Sequence, residues 1–233
     1  MTLDAALLDI LRRIDTPSVC NAIEVAQGRR GFDAFTRGTP VASDPGAPAM
    51  VGFAVTARIA ANDPPAIPPD RLRALRMAYY RAMHDAPRPA VAVVEDIDHP
   101  DCTGAFWGEV NTTIHRGFGL AGALTNGVVR DLGDLAPGFP VVAGSIGPSH
   151  RFVHVREIGV PVTVFGLTVQ PGDLVHADRH GAVVIPPEVL GGLADAVRRM
   201  QATEALVLGP AREPGFDFAA FETAWAAFEA ART

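Results

Sequence analysis

Apolar residues recur at helical spacing from the start of the chain. Leu3, Leu7, Leu8, Ile10, Leu11 and Ile14 share one face, with Asp and Arg on the other, so the period predicts a helix over 3–14. Asp15-Thr16-Pro17 follows. A carboxylate able to cap free amides, then a proline in the first turn, predicts a second helix over about 17–26. Residues 28–49 are rich in Gly, Pro and Asp and read as a loop. Residues 51–59 alternate and carry β-branched side chains, which predicts a strand. A proline-rich break at 62–69 precedes a helix expected over 70–84. Residues 90–95 form a short apolar run suited to a strand buried on both faces.

Further on, the pattern predicts a helix over 107–116, a strand over 122–125 and a turn at Asn126-Gly127. Strand-like runs at 141–143, 153–157, 162–168, 174–177 and 182–185 are mostly separated by Gly, Pro or Asp, notably Pro171-Gly172-Asp173. Short, closely spaced strands with helices at both ends predict a compact β-rich α/β sandwich or barrel, not a long doubly wound sheet. From 187 onward the chain reads as helical, interrupted around 209–215. Its last helix groups Phe216, Phe218, Phe221, Trp225 and Phe228 among alanines, a stripe for packing on the core or on a neighbouring subunit.

Composition narrows the function. At 233 residues, 48% hydrophobic and 20% charged, the chain suits one globular domain. The apolar runs are too short to span a bilayer. The start, Met1-Thr2-Leu3-Asp4, lacks a basic region followed by an apolar one, so the expected location is cytoplasmic. Cys20 and Cys102 lie far apart and read as inert thiols in a reducing compartment. A net charge of −6 argues against a nucleic-acid partner. There is no lysine: all 20 basic residues are arginine. That excludes a Schiff-base aldolase, a pyridoxal-phosphate enzyme and a Walker-type phosphate loop, each of which needs the lysine amine.

Three motifs carry candidate chemistry. Gly117-Phe118-Gly119-Leu120-Ala121-Gly122 matches the dinucleotide fingerprint letter for letter. The fingerprint needs a strand before it and a helix after, and here the order is reversed, so the dinucleotide reading is rejected. His150 and His154, with His176 and His180, could supply zinc nitrogens. Their four-residue spacing converges only on a helix, however, and the segment reads as a strand, which favours surface or substrate-facing histidines. The third is the acidic centre Gly108-Glu109-Val110, then a gap, then Arg130-Asp131-Leu132-Gly133-Asp134. Arg130-Asp131 could be an ordinary salt bridge. Its place after a strand and a turn, and the expected position of 108–110 at a helix N-terminus, instead suit an anion held together with a hard cation.

Gly108-Glu109-Val110, the 20-residue gap after Glu109, and Arg130-Asp131-x-x-Asp134 resemble the signature of the 4-hydroxy-4-methyl-2-oxoglutarate aldolases. That family also contains the RraA regulators of ribonuclease E. The resemblance extends from about Thr16 to Glu204. It implies an RraA-like β/β/α sandwich of the swivelling-domain type with flanking N- and C-terminal helices, one domain over 1–233 with a helical extension from about 187.

It also implies a class II lyase that releases pyruvate from a 4-hydroxy-2-oxo acid through a metal-stabilised enolate. Decarboxylation of oxaloacetate passes through the same enolate. By the resemblance, Asp131 would ligate magnesium or manganese and Arg130 would contact the 2-oxo oxygen. The Gly108, Glu109 and Val110 loop would hold the substrate carboxylate. Glu109, Asp134 and Glu204 would act on the metal through water, Glu204 from a neighbouring copy in a homotrimer or homohexamer. The implied alternative is a non-catalytic ribonuclease-binding protein of the same fold. Asn21, where many relatives carry Asp, and the histidines at 150 and 154 depart from the family pattern.

Overall fold

A computed structural model describes residues 3–232; Met1 and Thr2, part of the N-terminal stretch considered above, lie outside them. The chain opens with α1 (Ala5–Arg13) and α2 (Thr16–Gln27). Both helices start on an aspartate. Asp4 Oδ1 accepts from the Ala6 and Leu7 amides at 3.0 Å, and Asp15 Oδ1 accepts from the Ser18 amide at 2.9 Å. Next come β1 (Val41–Ala42), β2 (Met50–Ala60), α3 (Pro69–Asp85), β3 (Ala90–Asp96), β4 (Ala105–Trp107) and α4 (Glu109–Gly117). Short strands follow: β5 (Ala123–Thr125), β6 (Val128–Val129), β7 (Val141–Ala143), β8 (Ser145–Ile146), β9 (His154–Ile158), β10 (Val162–Val164), β11 (Leu167–Val169), β12 (Leu174–Asp178) and β13 (Gly181–Ile185). A single 3-10 turn at Pro187–Val189 leads into α5 (Leu190–Ala211) and α6 (Phe218–Arg232).

β2 organises the main sheet, whose order is β1-β7-β5-β3-β2-β12-β13. Its first half pairs antiparallel with β12 and its second half with β9, while its other edge runs parallel to β3. β3, β5 and β7 continue in parallel. Alternation in β3 sends Ala90, Ala92 and Val94 to the face covered by α3, and Val91 and Val93 to the face covered by the β10–β11 hairpin. At the β12–β13 end, α1, α2 and α5 cover the sheet with Leu11, Ile23 and Leu193.

A second sheet, all parallel, has the order β4-β6-β8. β5 runs through Asn126-Gly127 directly into β6, and β7 runs through Gly144 into β8, so this sheet is an upper storey on the first. The joint is tight. A Cβ at residue 144 would fall 2.1 Å from the Asn126 carbonyl oxygen, which leaves room for glycine alone. Asn126 Oδ1 accepts from the Asp96 amide at 2.7 Å and its Nδ2 donates to the Asp96 carbonyl at 3.1 Å, pinning β5 to β3.

The structure corrects several sequence expectations. The helix expected over 107–116 begins at Glu109, because Trp107 belongs to β4, its ring buried against His115 and Phe139. Residues 162–168 are not one strand. Phe165 and Gly166, at φ 50° and 76°, reverse the chain into the β10–β11 hairpin. β1, β6 and β8, two residues each, were not anticipated, being too short to show a period. His154 and His176 are buried, not surface or substrate-facing. His176 Nε2 faces the Leu11 carbonyl at 2.9 Å and its Nδ1 the Thr16 hydroxyl at 3.1 Å, so it ties α1 and α2 to β12.

The inner half of α5 is buried as far as Met200, and α6 packs on α5 through Ala224. The aromatic stripe stacks along itself, Phe221 to Trp225 at 5.7 Å and Trp225 to Phe228 at 5.1 Å, while Phe218 stays 71% exposed. Among the described residues no helix is long and apolar enough to cross a membrane.

Candidate active site

β4 and β6 end side by side, because the Arg130 amide donates to the Trp107 carbonyl at 2.9 Å. After β4 the chain enters α4 at Gly108, and after β6 come Arg130 and Asp131. The two halves of the acidic centre therefore meet at the carboxyl ends of parallel strands, where α/β folds place ligands.

Gly108 caps α4 without a side chain to do so. Asp131 takes that role from 22 residues away, its Oδ2 accepting the Glu109 N–H at 3.2 Å. The same oxygen lies 3.3 Å from Arg130 Nε, and the Arg130 and Asp131 side chains are 32% and 34% exposed. No protein donor among the described residues reaches Asp131 Oδ1. Residue 108 must be small here: a Cβ would sit 2.5 Å from Asp131 Oδ2 and 3.1 Å from Arg130 Cγ. Asp131 itself adopts φ 55°. Aspartate visits this left-handed region more readily than most residues, yet such conformations cost about 1–3 kcal/mol and cluster at functional sites. The Asp134 amide closes a turn on the Asp131 carbonyl at 2.9 Å, which keeps Asp134 on the same loop. Glu109, Asp131 and Asp134 are all exposed.

The Val110 and Asn111 amides in the first turn of α4 have no protein acceptor among the described residues. They carry the partial positive charge of a helix start and, with the Arg130 guanidinium, favour an anion. Among the described residues no three His, Cys, Asp or Glu side chains converge on a metal position. Mg²⁺ needs no such cage, since it usually takes one or two carboxylates and completes its shell with water and substrate oxygens. Asp131, with one oxygen oriented and the other bare, fits that requirement.

The structure brings Gly108, Glu109, Arg130 and Asp131 into contact and keeps Asp134 beside them. It does not bring in Glu204, which lies on α5 beyond Met200, the last buried side chain of that helix. The histidines do not assemble either. His150 Nδ1 faces the Arg151 carbonyl at 2.7 Å, His154 Nδ1 faces the Phe152 carbonyl at 2.8 Å, and His180 pairs with Asp178 at 3.1 Å. Both cysteine thiols stay protonated at neutral pH: burial pushes Cys20 up to about 11 and Cys102 up to about 12.

Sequence reasoning missed the residues that hold α4. Thr112 is fully buried, and its hydroxyl donates to the Gly108 carbonyl at 2.9 Å and accepts the Ala136 amide at 3.1 Å. Asn111 Nδ2 donates to the Phe106 carbonyl, and its Oδ1 accepts the Tyr80 hydroxyl at 2.7 Å. His115 Nε2 meets the Tyr79 hydroxyl at 2.7 Å, and burial lowers its pKa to about 4, which keeps the ring neutral. The available sign was Asn111-Thr112-Thr113, three poor helix formers in the opening turns of an expected helix.

Fold and site together define an α/β protein with an acidic, arginine-bearing centre at the ends of a short parallel sheet. The chain belongs to the RraA-like family, whose model, described as Aldolase/RraA, matches residues 16–184. A Halalkalibacterium halodurans protein, provisionally named as a 4-hydroxy-4-methyl-2-oxoglutarate aldolase, is 27% identical over 157 residues, 66% of this chain and 68% of that one. Protein DlpA of Legionella pneumophila is 26% identical over 148 residues, 60% of this chain but only 24% of its own length. Among solved structures, an uncharacterized Pseudomonas syringae pv. tomato protein superimposes with a TM-score of 0.71 at 23% identity, covering 97% of this chain and 95% of that one. RraAS2 of Streptomyces coelicolor, described as an unusual member of the RNase ES inhibitor RraA protein family, gives 0.66 at 23% identity, covering 88% and 96%. These likenesses establish the RraA fold, with its helices flanking the sheets.

Proposed function

We propose that this protein is a divalent-metal-dependent class II aldolase that cleaves a 4-hydroxy-2-oxo acid to release pyruvate, with accompanying oxaloacetate decarboxylation. The observation that carries this reading is the Asp131 carboxylate, held by the Glu109 amide and Arg130 over the open start of α4 with its Oδ1 free. Asp131 would hold Mg²⁺ or Mn²⁺, with Glu109 and Asp134 acting through water. When bound, the cation supplies a positive charge that stabilises the enolate formed as the C3–C4 bond breaks. The free Val110 and Asn111 amides receive the substrate carboxylate. Arg130 sets its guanidinium against the 2-oxo oxygen, where negative charge develops. Glu109, exposed on the first turn of α4, takes the 4-hydroxyl proton through a water. With no lysine in the chain, a metal-assisted route is the one open to such an aldolase.

The assembled set of acids around Arg130 favours chemistry over the alternative of a ribonuclease-binding surface. In this reading the working form is a homotrimer or homohexamer, where Glu204 of the partner subunit completes the water shell. Its support is the distance of Glu204's helix segment from the core of its own chain, together with the exposed Phe218 and Trp225. A coupled pyruvate assay on oxaloacetate and a panel of 4-hydroxy-2-oxo acids, titrated with Mg²⁺ and Mn²⁺, tests the proposal. Turnover abolished by chelator is the expected result. Saturating metal with no pyruvate from any substrate would refute it.

A further inference from the structure

The candidate site is made of two segments that share no strand pairing beyond β4 and β6. One is the Gly108–Asn111 turn opening α4, the other the loop running from Arg130 through Asp134 to Ala136. One direct side-chain contact joins them at the surface, Asp131 Oδ2 to the Glu109 amide at 3.2 Å. It lies at the long end of ordinary hydrogen bonds and is open to water, so it does not fix the spacing firmly.

Beneath it sits one buried atom. The Thr112 hydroxyl donates its single proton to the Gly108 carbonyl at 2.9 Å, with the Glu109 carbonyl as a second acceptor at 3.1 Å, and accepts the Ala136 N–H at 3.1 Å. A threonine hydroxyl inside a helix often bonds back to the carbonyl four residues earlier. Here the same oxygen also takes a donor from outside the helix, so it spans both halves of the site. Thr112 is completely buried, so no water competes for either bond, and the Ala136 N–H is buried with it.

We propose that Thr112 is a positioning residue: its hydroxyl sets the separation between the amide-lined start of α4 and the Arg130–Asp134 loop. The inference rests on the enolate-forming reading above and deepens it. The carboxylate-binding amides belong to one segment, and the groups that meet the developing charge belong to the other. A change in their separation leaves ground-state binding largely intact and misplaces Arg130 and Asp131 in the transition state. Removing the hydroxyl therefore lowers kcat and leaves KM nearly unchanged.

The test compares wild type, Thr112→Val, Thr112→Ser and the exposed neighbour Thr113→Val in metal-saturated oxaloacetate decarboxylation, with far-UV circular dichroism on each. The expected result is a fall in kcat of about tenfold or more for Thr112→Val with KM within threefold. Thr112→Ser, which keeps the hydroxyl, and Thr113→Val should stay within threefold of wild type. If Thr112→Val does not fold, Thr112→Ala is judged by the same thresholds. A folded hydroxyl-free variant with kcat within threefold of wild type overturns the proposal, as does a Thr112→Ser variant as impaired as Thr112→Val. Wild-type protein that releases no pyruvate overturns the enolate reading and this proposal with it. An active wild type beside an unaffected Thr112→Val overturns the positioning role alone.

Discussion

α2 and α4 begin in opposite ways. At α2 every first-turn amide is satisfied: Asp15 takes the Ser18 amide at 2.9 Å, Asp178 takes the Thr16 amide at 2.9 Å, and Pro17 has none to offer. At α4 the cap position is a glycine with no side chain, and the carboxylate comes from Asp131, which belongs to a different sheet strand's loop. A start with its amides all satisfied stabilises the helix and has no donor left for a ligand. The α4 start leaves two amides open, holds a carboxylate in a costly backbone conformation and places a guanidinium beside it. The first arrangement serves stability; the second, on the proposed reading, serves a ligand.

The sharpest way to break this contrast is Asp131→Ala. It should lower metal-dependent pyruvate release by about a thousandfold, as expected when the residue proposed to hold the charge-stabilising cation is lost, while the melting temperature stays near wild type. A loss of activity matched by unfolding would mean Asp131 is an ordinary cap. The next largest effect concerns pH. Both helices adjoin a buried neutral histidine, His176 beside α2 and His115 within α4, and burial lowers the pKa of each. For His115 the folded value is about 4, against 6.5 for the free side chain. Between those values the unfolded chain binds a proton that the native state does not. Stability is therefore full above the unfolded value and falls as pH drops through the window, by on the order of 3 kcal/mol. Melting curves from pH 7 to 4 should show a shallower decline for His115→Gln than for wild type. Equal slopes would remove His115 from the account.

Gly108→Ala should follow, with pyruvate release down by about 10- to 100-fold, because the new Cβ displaces Asp131 Oδ2. A crystal structure of the variant with an unmoved Asp131 would contradict the mechanism. Asp15→Ala is the smallest. It should cost about 1 kcal/mol, read as a drop of a few degrees in melting temperature, with unchanged turnover. Any kinetic effect there would blur the distinction between the two helix starts.

How much could be read in advance follows the same division. Asp15-Thr16-Pro17 announced α2 because the capping aspartate and the first-turn proline are adjacent in sequence, although Asp178, which takes the Thr16 amide, is not. The continuous apolar run of β3 likewise announced a buried strand. The spacing of Glu109, Arg130, Asp131 and Asp134 could be matched to a family, but their contact depends on β4 pairing with β6, which no local pattern encodes. Thr112 was invisible because its second partner, Ala136, is 24 residues away. Phe165 hid a hairpin, since a turn with positive φ is usually written with Gly or Asn and not with an aromatic residue. His176 was read as surface or substrate-facing because its acceptor, the Leu11 carbonyl, is brought near only by folding.

The two tryptophans divide along the same line. Trp107 is fully buried one residue before Gly108, its ring 4.8 Å from His115, whereas Trp225 is 40% exposed on α6. Acrylamide should quench the second and spare the first. Blue-edge emission then reports on the floor of the candidate site and red-edge emission on the helical arm, so the proposed ligand capture and the proposed subunit association can be followed separately in one cuvette with no label attached.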